Sequence, residues 1–222
     1  VDSTPTSRSM VGLNIVFNAS ASVPAAALTA LAAVETFIES QFTDPITITM
    51  NISFAAMGSG VLGATSSNYR GLLYSNVRPK VIADMDANDT LQAFLPTTTT
   101  FPVRYSTAAT VTNETRIYYT FGNWKAVGGT VNTSPDASMT FNSQFSWDYD
   151  PTNGVAGGTY SFRDVIVHEV GHAMGFTSGA DFRTSDMESL DMYRFQRTDG
   201  TGDYNPDDTA EFQARPRLVD YN

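Results

Sequence analysis

The sequence predicts a mixed α+β fold in a single domain over residues 1–222. A strand pattern and a helix pattern come first, several strand patterns follow, and a second strong helix pattern comes late, an order typical of α+β layers. The chain is long enough for one substantial domain with its own core or for two small ones, and no boundary in the sequence is strong enough to divide it. Apolar residues make up 41% and charged residues 16% of it, a composition typical of folded proteins.

A strand–helix–strand unit is expected near the N-terminus. VGLNIVFN, residues 11–18, places its apolar side chains on one face, as a half-buried strand does. Ser22 has the character of a helix cap, with Pro24 near the helix start, and apolar positions then recur at helical spacing. ITITMNISF, residues 46–54, alternates strictly and leaves Asn51 on the outward face. We therefore expect a sheet with this N-terminal helix packed against it.

The middle of the chain combines a loop with further strands. GSGVLGATSSNYRG, residues 58–71, has the glycine and serine content of a long loop. Strand patterns then recur in KVIADM at 80–85, RIYYTFGNW at 116–124 and SMTFNSQFSW at 138–147. The last of these precedes the late helix, so we expect the strand from Met139 to Trp147 to form an edge of the sheet beside that helix.

Charge and hydropathy exclude two classes of partner. The net charge is −10 with 13 Lys and Arg, so the chain lacks the basic face that a phosphate backbone requires, and we expect no nucleic-acid partner. No run approaches the roughly 18 apolar residues of a membrane-spanning helix, so we expect no membrane span. Cysteine is absent, which leaves no thiolate to act as nucleophile or metal ligand.

Several features are compatible with a secreted, extracellular protein. The opening VDSTPTSRSM has no initiating methionine and no apolar signal region, as in a mature chain whose targeting segment has been removed. The closing ARPRLVDYN has the pattern of a starting strand, which is compatible with truncation or processing at that end. Five Asn-x-Ser/Thr sequons are candidate glycosylation sites: Asn18, Asn51, Asn88, Asn113 and Asn132.

HEVGHAMGFTSG, residues 168–179, carries the clearest chemical signal. Ser161 resembles the cap that opens a helix. On that helix His168 and His172 are four residues apart and project from one face, which suits two ligands of one tetrahedral Zn²⁺. Zinc lowers the pKa of a water that it binds, and Glu169 is placed to take the proton of that water as general base. Both histidines of the chain lie in this motif, which argues against a chance occurrence.

The motif resembles that of the zincin metallopeptidases. With Gly175, HEVGHAMG is most similar to the metzincin branch, whose pattern is HExxHxxGxxH, but Ser178 stands at the position of the third histidine. FTDPITITMNISF, GSGVLGATSS, HEVGHAMGFTSGAD and SLDMYRF are together similar to a group of secreted microbial zincin-like proteins. The resemblance implies a zincin-like fold, in which a twisted mixed sheet packs on an N-terminal helix and on the HExxH helix, and it implies peptide hydrolysis.

The third zinc ligand is expected to be a carboxylate, because a catalytic zinc takes three protein ligands and no further histidine is present. The nearby candidates are Asp181, Asp186, Glu188 and Asp191. Ser185 with Glu188 forms a capping box, which gives Glu188 a structural role and Asp186 a favourable first-turn position. Asp191 lies between two apolar residues, where a carboxylate is costly unless a cation or a metal pairs with it. We therefore expect Asp191 to be the third ligand.

Two alternatives to that assignment stay open. Asp181 follows a Ser-Gly-Ala turn and can reach the metal from a slightly longer loop, which makes it the alternative third ligand. Asp191 can instead form an ion pair with Arg194 or Arg197. The separation of Asp191 from His172 resembles that in zincins whose third ligand is an acidic residue on a following helix.

A calcium site is considered near the C-terminus. In TDGTGDYNPDD, the residues Asp203, Asn205 and Asp207 match the first three alternating ligand positions of a calcium loop. The match then fails, because Asp208 occupies the glycine position and Ala214 the position of the expected glutamate. The segment is therefore either a Ca²⁺ site or a solvated turn.

These patterns favour a secreted zinc-dependent endopeptidase, in which a metal-activated water attacks the carbonyl of a peptide or protein substrate and Glu169 is the general base. The strand from Met139 to Trp147 would then pair with an extended peptide. The alternative is a non-catalytic secreted binding or surface module that retains a zincin fold, since Ser178 replaces the third histidine.

Overall fold

The computed structural model describes residues 12–88, 91–105, 110–180, 185–194, 210, 213 and 217–218. The chain divides into two compact units. The first comprises Val1–Asn68 with Asn132–Ala173, and the second comprises Tyr69–Val131 with Met174–Asn222. Both units contain helices and strands, so the predicted α+β class is confirmed. The expectation of one domain over residues 1–222 stays a prediction.

The described elements are four helices, eleven strands and three short 3₁₀ helices. The strands are β1 Asn14–Ala19, β2 Thr47–Ala55, β3 Gly63–Ser67, β4 Tyr69–Leu73, β5 Phe101–Arg104, β6 Thr112–Glu114, β7 Arg116–Thr120, β8 Ala137–Asn142, β9 Trp147–Asp148, β10 Tyr160–Ser161 and β11 Arg217–Leu218. The helices are α1 Ala25–Glu39, α2 Tyr74–Ala83, α3 Phe121–Ala126 and α4 Phe162–Ala173, and the 3₁₀ helices are Leu91–Phe94, Pro151–Asn153 and Ser189–Tyr193. None of these described helices is long and apolar enough to cross a membrane.

The main sheet of the first unit has the strand order β1–β2–β8–β3. β1, β2 and β8 are parallel, and β3 is antiparallel to β8, so the sheet is mixed. The alternation of β2 has the predicted outcome, with Asn51 exposed and the intervening apolar residues Ile48, Met50, Ile52 and Phe54 buried. α1 packs against β1 and α4, and α4 packs against β3. The HExxH helix, α4, therefore lies against β3 at the edge of the main sheet.

The start of α1 differs from the prediction. Pro24 occupies the N-cap position, and no side chain caps it. The Ser22 hydroxyl instead accepts a hydrogen bond from the backbone N–H of Phe54 at 2.9 Å. Ser22 thus ties the segment before α1 to the end of β2. The helix buries a face of small and branched side chains, namely Ala27, Ala30, Leu31, Val34 and Ile38.

The expected edge strand is an interior strand. β8, which holds Met139, pairs with β2 on one side and with β3 on the other, so the prediction that Met139 to Trp147 forms the sheet edge was wrong. Ala137, Met139 and Phe141, which alternate along β8 and so share one face of the sheet, are buried. The edge strands of this sheet are β1 and β3, and in the described part of the chain β3 pairs with β8 alone. The segment GATSS was expected to belong to a loop because clusters of glycine and serine are typical of loops, and that prediction was wrong for β3.

The second unit contains a helix where a strand was predicted. α2 covers the start of KVIADM, and Tyr74, Val77 and Val81 are buried at helical spacing. β4 pairs with β7, and β5 pairs with β6 and β11. The core of this unit is rich in aromatic side chains and includes Tyr74, Phe101, Tyr105, Tyr119, Trp124, Met187 and Met192.

Candidate metal centre

The HExxH helix, α4, begins where the sequence predicts. The Ser161 hydroxyl accepts a hydrogen bond from the backbone N–H of Asp164 at 3.3 Å, which satisfies one of the N–H groups that have no partner within a helix. The buried face of α4 is formed by Phe162, Ile166, Val170 and Ala173, at the spacing of successive helical turns. The two histidines lie off this face, so His168 is exposed and His172 is half-buried.

The imidazoles of His168 and His172 converge. Their Nε2 atoms are 3.0 Å apart, and their rings meet edge to face with centroids 4.6 Å apart. Two nitrogens bound to one tetrahedral zinc, each at about 2.0–2.1 Å, are separated by about 3.3 Å. The pair therefore has nearly the separation that one shared Zn²⁺ requires, and neutral imidazole is a preferred zinc ligand. The donor set of this helix fits a zinc ion.

Glu169 is turned toward β3 rather than toward solvent. Its side chain is 4% exposed, and its Oε2 accepts a hydrogen bond of 2.6 Å from the Thr65 hydroxyl. The same hydroxyl lies 3.0 Å from the main-chain oxygen of Glu169. A Cβ added at Gly63 would be 3.2 Å from Oε1, so the strand passes close to the other carboxylate oxygen as well.

A cleft opens beside this helix. Its volume is about 450 Å³, and it is lined by Gly60, Val61, Leu62, Gly63, Asp164, Val165, His168 and Glu169. Val61, Leu62 and Val165 supply apolar walls, whereas Asp164 adds an exposed carboxylate. His168 and Glu169 thus border a cleft whose volume is in the range of small-molecule binding pockets.

Asp191 is fully buried in the second unit and is held by hydrogen bonds. Its Oδ1 accepts from the Ser178 hydroxyl at 2.5 Å. Its Oδ2 accepts from the backbone N–H groups of Gly179 at 2.9 Å, Ala180 at 3.1 Å and Glu188 at 2.8 Å. These four donors account for the burial of Asp191 without a metal, so its assignment as third ligand stays a prediction. Ser178, at the position of the missing histidine, is used by this network.

The ion pair considered for Asp191 is also present. Arg194 Nη1 lies 3.8 Å from Asp191 Oδ1. The predicted capping box is displaced along the chain, because Glu188 and not Ser185 is the N-cap of the 3₁₀ helix, and Asp191 accepts from its N–H. Glu188 therefore has a structural role, though not the one that the sequence indicated.

Asp186 precedes the 3₁₀ helix Ser189–Tyr193 and its N-cap Glu188, so the prediction of a first-turn position for Asp186 was wrong. Its φ of 71° is in the left-handed region, and a Cβ at Gly179 would lie 1.9 Å from its carbonyl oxygen, so position 179 requires glycine. Burial, and then a hydrogen bond to Asp186, raise the pKa of the Tyr118 phenol. Asp186 thus has a partner within its own unit.

The other predicted site residues fall into two groups. The sequon asparagines Asn18, Asn51, Asn88, Asn113 and Asn132 are all exposed. Asp181 and the three candidate calcium ligands Asp203, Asn205 and Asp207 lie outside the described residues. Within the described ranges, no group of three His, Cys, Asp or Glu side chains is arranged to hold a metal ion.

Comparisons with known proteins add nothing to this geometry. No protein family, curated protein or solved structure matches the chain.

Three residues of the site were not identified from the sequence. They are Gly63, Thr65 and Ser67, which alternate along β3 and face α4. Ser67 donates its hydroxyl to the main-chain oxygen of His172 at 3.1 Å. Their spacing of two in GATSS, typical of one face of a strand, was the available signal.

Proposed function

We propose that the chain is a secreted zinc-dependent endopeptidase with a zincin-like fold, in which His168 and His172 bind the metal and Glu169 is the general base. The observation that carries the proposal is the convergence of the two Nε2 atoms to 3.0 Å on the helix that also presents Glu169 to a cleft. The resemblance of HEVGHAMG to zincins supports the same assignment.

Each residue has a defined task in this proposal. Zinc, when bound, supplies a Lewis acid and lowers the pKa of water to about 7. Glu169 takes a proton from the attacking water on its carboxylate and returns it to the leaving amine. His168 and His172 would bind the metal through the nitrogens of neutral imidazole rings.

The free edge of β3 supports an extended peptide as the substrate. β3 flanks the same cleft as Glu169, and its pairing in the described residues leaves one edge of the strand open. A peptide added to such an edge gains main-chain hydrogen bonds and lays alternate side chains into neighbouring pockets. β3 replaces the strand around Met139 in this role.

The third ligand remains a carboxylate in this proposal, and two residues compete for it. Asp191 has both oxygens engaged by donors of its own unit. Asp181 follows Ala180 directly and keeps its place as the alternative. Asp191→Asn and Asp181→Ala distinguish the two candidates. Loss of the third ligand lowers the affinity for zinc, whereas loss of a structural carboxylate lowers the stability of the protein even without zinc.

A non-catalytic secreted binding or surface module is the second candidate. The observation that favours it is Ser178, which stands at the position of a zinc-binding histidine and donates its hydroxyl to Asp191. A chain with two histidine ligands and an unfilled third position can retain the metal without hydrolysing a peptide.

Zinc-edge crystallography combined with a peptide library tests the proposal. An anomalous peak bonded to His168 and His172 and to one carboxylate at about 2.0–2.2 Å, together with cleavage that chelator abolishes and zinc restores, is the expected result. A zinc-loaded protein that cleaves no peptide of a broad library would favour the binding module. If crystals grown with zinc show no anomalous peak, His168 and His172 do not bind zinc, which contradicts the peptidase and also a zinc-binding form of the surface module.

A further inference from the structure

Thr65 contacts Glu169 at two atoms. Its Oγ1 lies 2.6 Å from the carboxylate Oε2 and 3.0 Å from the main-chain oxygen of the same residue. A glutamate side chain has several rotatable torsions and loses rotamer freedom when it is fixed. The hydroxyl carries one proton, and the shorter contact assigns it to the charged carboxylate, so this hydrogen bond restrains the side-chain torsions of Glu169. We infer that Thr65 is the positioning residue of Glu169, an inference that rests on the proposed function.

Ser67 provides a comparison on the same strand for the two contacts that Thr65 makes. It lies two residues along β3, faces the same helix, and donates to the main-chain oxygen of His172. A hydroxyl bound to a helix carbonyl is enough to fasten the strand to the helix. The Thr65 hydroxyl makes that type of contact and also reaches a carboxylate at 2.6 Å. The contact with the carboxylate is therefore the one that can position the Glu169 side chain.

Gly63 also lies beside the carboxylate of Glu169. A Cβ at this position would lie 3.2 Å from Glu169 Oε1 and 3.2 Å from Val165 Cγ1, closer than nearly all real Cβ contacts. The absence of a side chain at Gly63 therefore leaves room for Oε1, while the Thr65 hydroxyl contacts Oε2. This restraint matters for a general base, because a displacement of about 1 Å can lower a rate by about a hundredfold.

Three variants test the inference. Thr65→Val keeps the shape of the side chain and removes the hydroxyl, and Thr65→Ser keeps the hydroxyl. Thr140→Val is the matched control, since Thr140 lies on neighbouring β8 opposite Ala64 and its hydroxyl contacts Ser53 at 3.0 Å. We would determine the crystal structure of each zinc-loaded protein and measure its zinc Kd and its kcat and KM on a cleaved peptide, with Glu169→Gln as reference.

The expected result is a displaced or disordered Glu169 side chain in Thr65→Val. Its kcat should fall by about tenfold to a hundredfold, with KM and zinc Kd within about twofold of the original protein. Thr65→Ser should restore both the Glu169 conformation and kcat to within about threefold. Thr140→Val should match the original protein in every readout.

Two results would overturn the inference without touching the proposed function. An unmoved, well-ordered Glu169 in Thr65→Val does so whatever the activity, because the hydroxyl would then not hold the carboxylate. An unchanged kcat in Thr65→Val beside an inactive Glu169→Gln also does so, and it leaves the proposed peptidase standing. A fully active Glu169→Gln protein instead contradicts the proposed function, and the inference with it.

Discussion

Glu169 and Asp191 are both buried carboxylates, yet their surroundings differ. Glu169 is 4% exposed, accepts the Thr65 hydroxyl at 2.6 Å and borders an open cleft. Asp191 is 0% exposed and accepts one hydroxyl and three backbone N–H groups. A carboxylate with access to a cleft can exchange a proton with a substrate, whereas one surrounded by fixed donors organises the chain around it.

This difference shows why burial alone is a poor guide to a metal ligand. The apolar neighbours of Asp191 indicated that a cation or metal must compensate its charge. Backbone N–H groups compensate it as well, because hydrogen bonds to an ionised acceptor are stronger than those between neutral groups. The turn that contains Gly179 and Ala180 directs two such donors at one oxygen.

Substitution of Glu169 by Gln is expected to give the largest effect on activity. The amide keeps the shape of the side chain but takes up no proton, so kcat on a cleaved peptide should fall by about 10²–10⁴-fold. Zinc Kd should stay within about twofold, and the midpoint of thermal unfolding should change little. Rates equal to those of the original protein would remove Glu169 from the mechanism.

Substitution of Asp191 by Asn is expected to give the largest effect on stability. Loss of the charge weakens four hydrogen bonds at a fully buried site, and the amide NH₂ faces donors, so the free energy of unfolding should fall by about 2–4 kcal/mol. Urea unfolding should be measured in chelator, where a role confined to metal binding would contribute nothing. A loss that appears with zinc and vanishes in chelator would identify Asp191 as the ligand.

Asp181 provides the counterpart to that measurement. Asp181→Ala should weaken zinc binding without destabilising the chelated protein if Asp181 is the third ligand. Equal zinc Kd values for Asp181→Ala and the original protein would exclude this alternative.

The features that the sequence predicted correctly depend on local periodicity. The α4 start at Ser161 and the inward face of β2 follow from residue type and spacing along one segment. β3 was missed because its pattern is carried by glycine, threonine and serine, whose alternation is weakly apolar. α2 was missed because Val81 and Ile82 in KVIADM are β-branched residues that favour strands, whereas the burial of Val81 follows helical spacing with Tyr74 and Val77.

The hydrogen-bond partners of Asp191 could not be predicted from the local sequence, for a different reason. Ser178 and Asp191 are separated along the chain, and three of the donors are backbone N–H groups that every non-proline residue carries. Residue types therefore identify the buried charge but not its partners. A turn geometry had to bring those donors together.

Substitution of Ser178 by Ala is expected to give a smaller effect. It removes one of the four donors from a half-buried position, so the free energy of unfolding should fall by about 1–2 kcal/mol. Zinc Kd should not change, because the hydroxyl is engaged with Asp191. Thr177→Val is the control, because it removes the neighbouring hydroxyl, which is buried and has no hydrogen-bond partner among the described residues. A marked loss of zinc affinity in Ser178→Ala but not in Thr177→Val would show that Ser178 substitutes for the missing histidine.

Removal of the Arg194 side chain by substitution to Ala is expected to give the smallest effect. Arg194 is 35% exposed and its Nη1 is 3.8 Å from Asp191, so solvent screens the pair and its loss should cost less than about 1 kcal/mol. Urea unfolding at low and high salt measures it, and the difference between the two proteins should shrink as salt rises. A loss as large as that of Asp191→Asn would mean that the ion pair, rather than the backbone donors, compensates the buried charge.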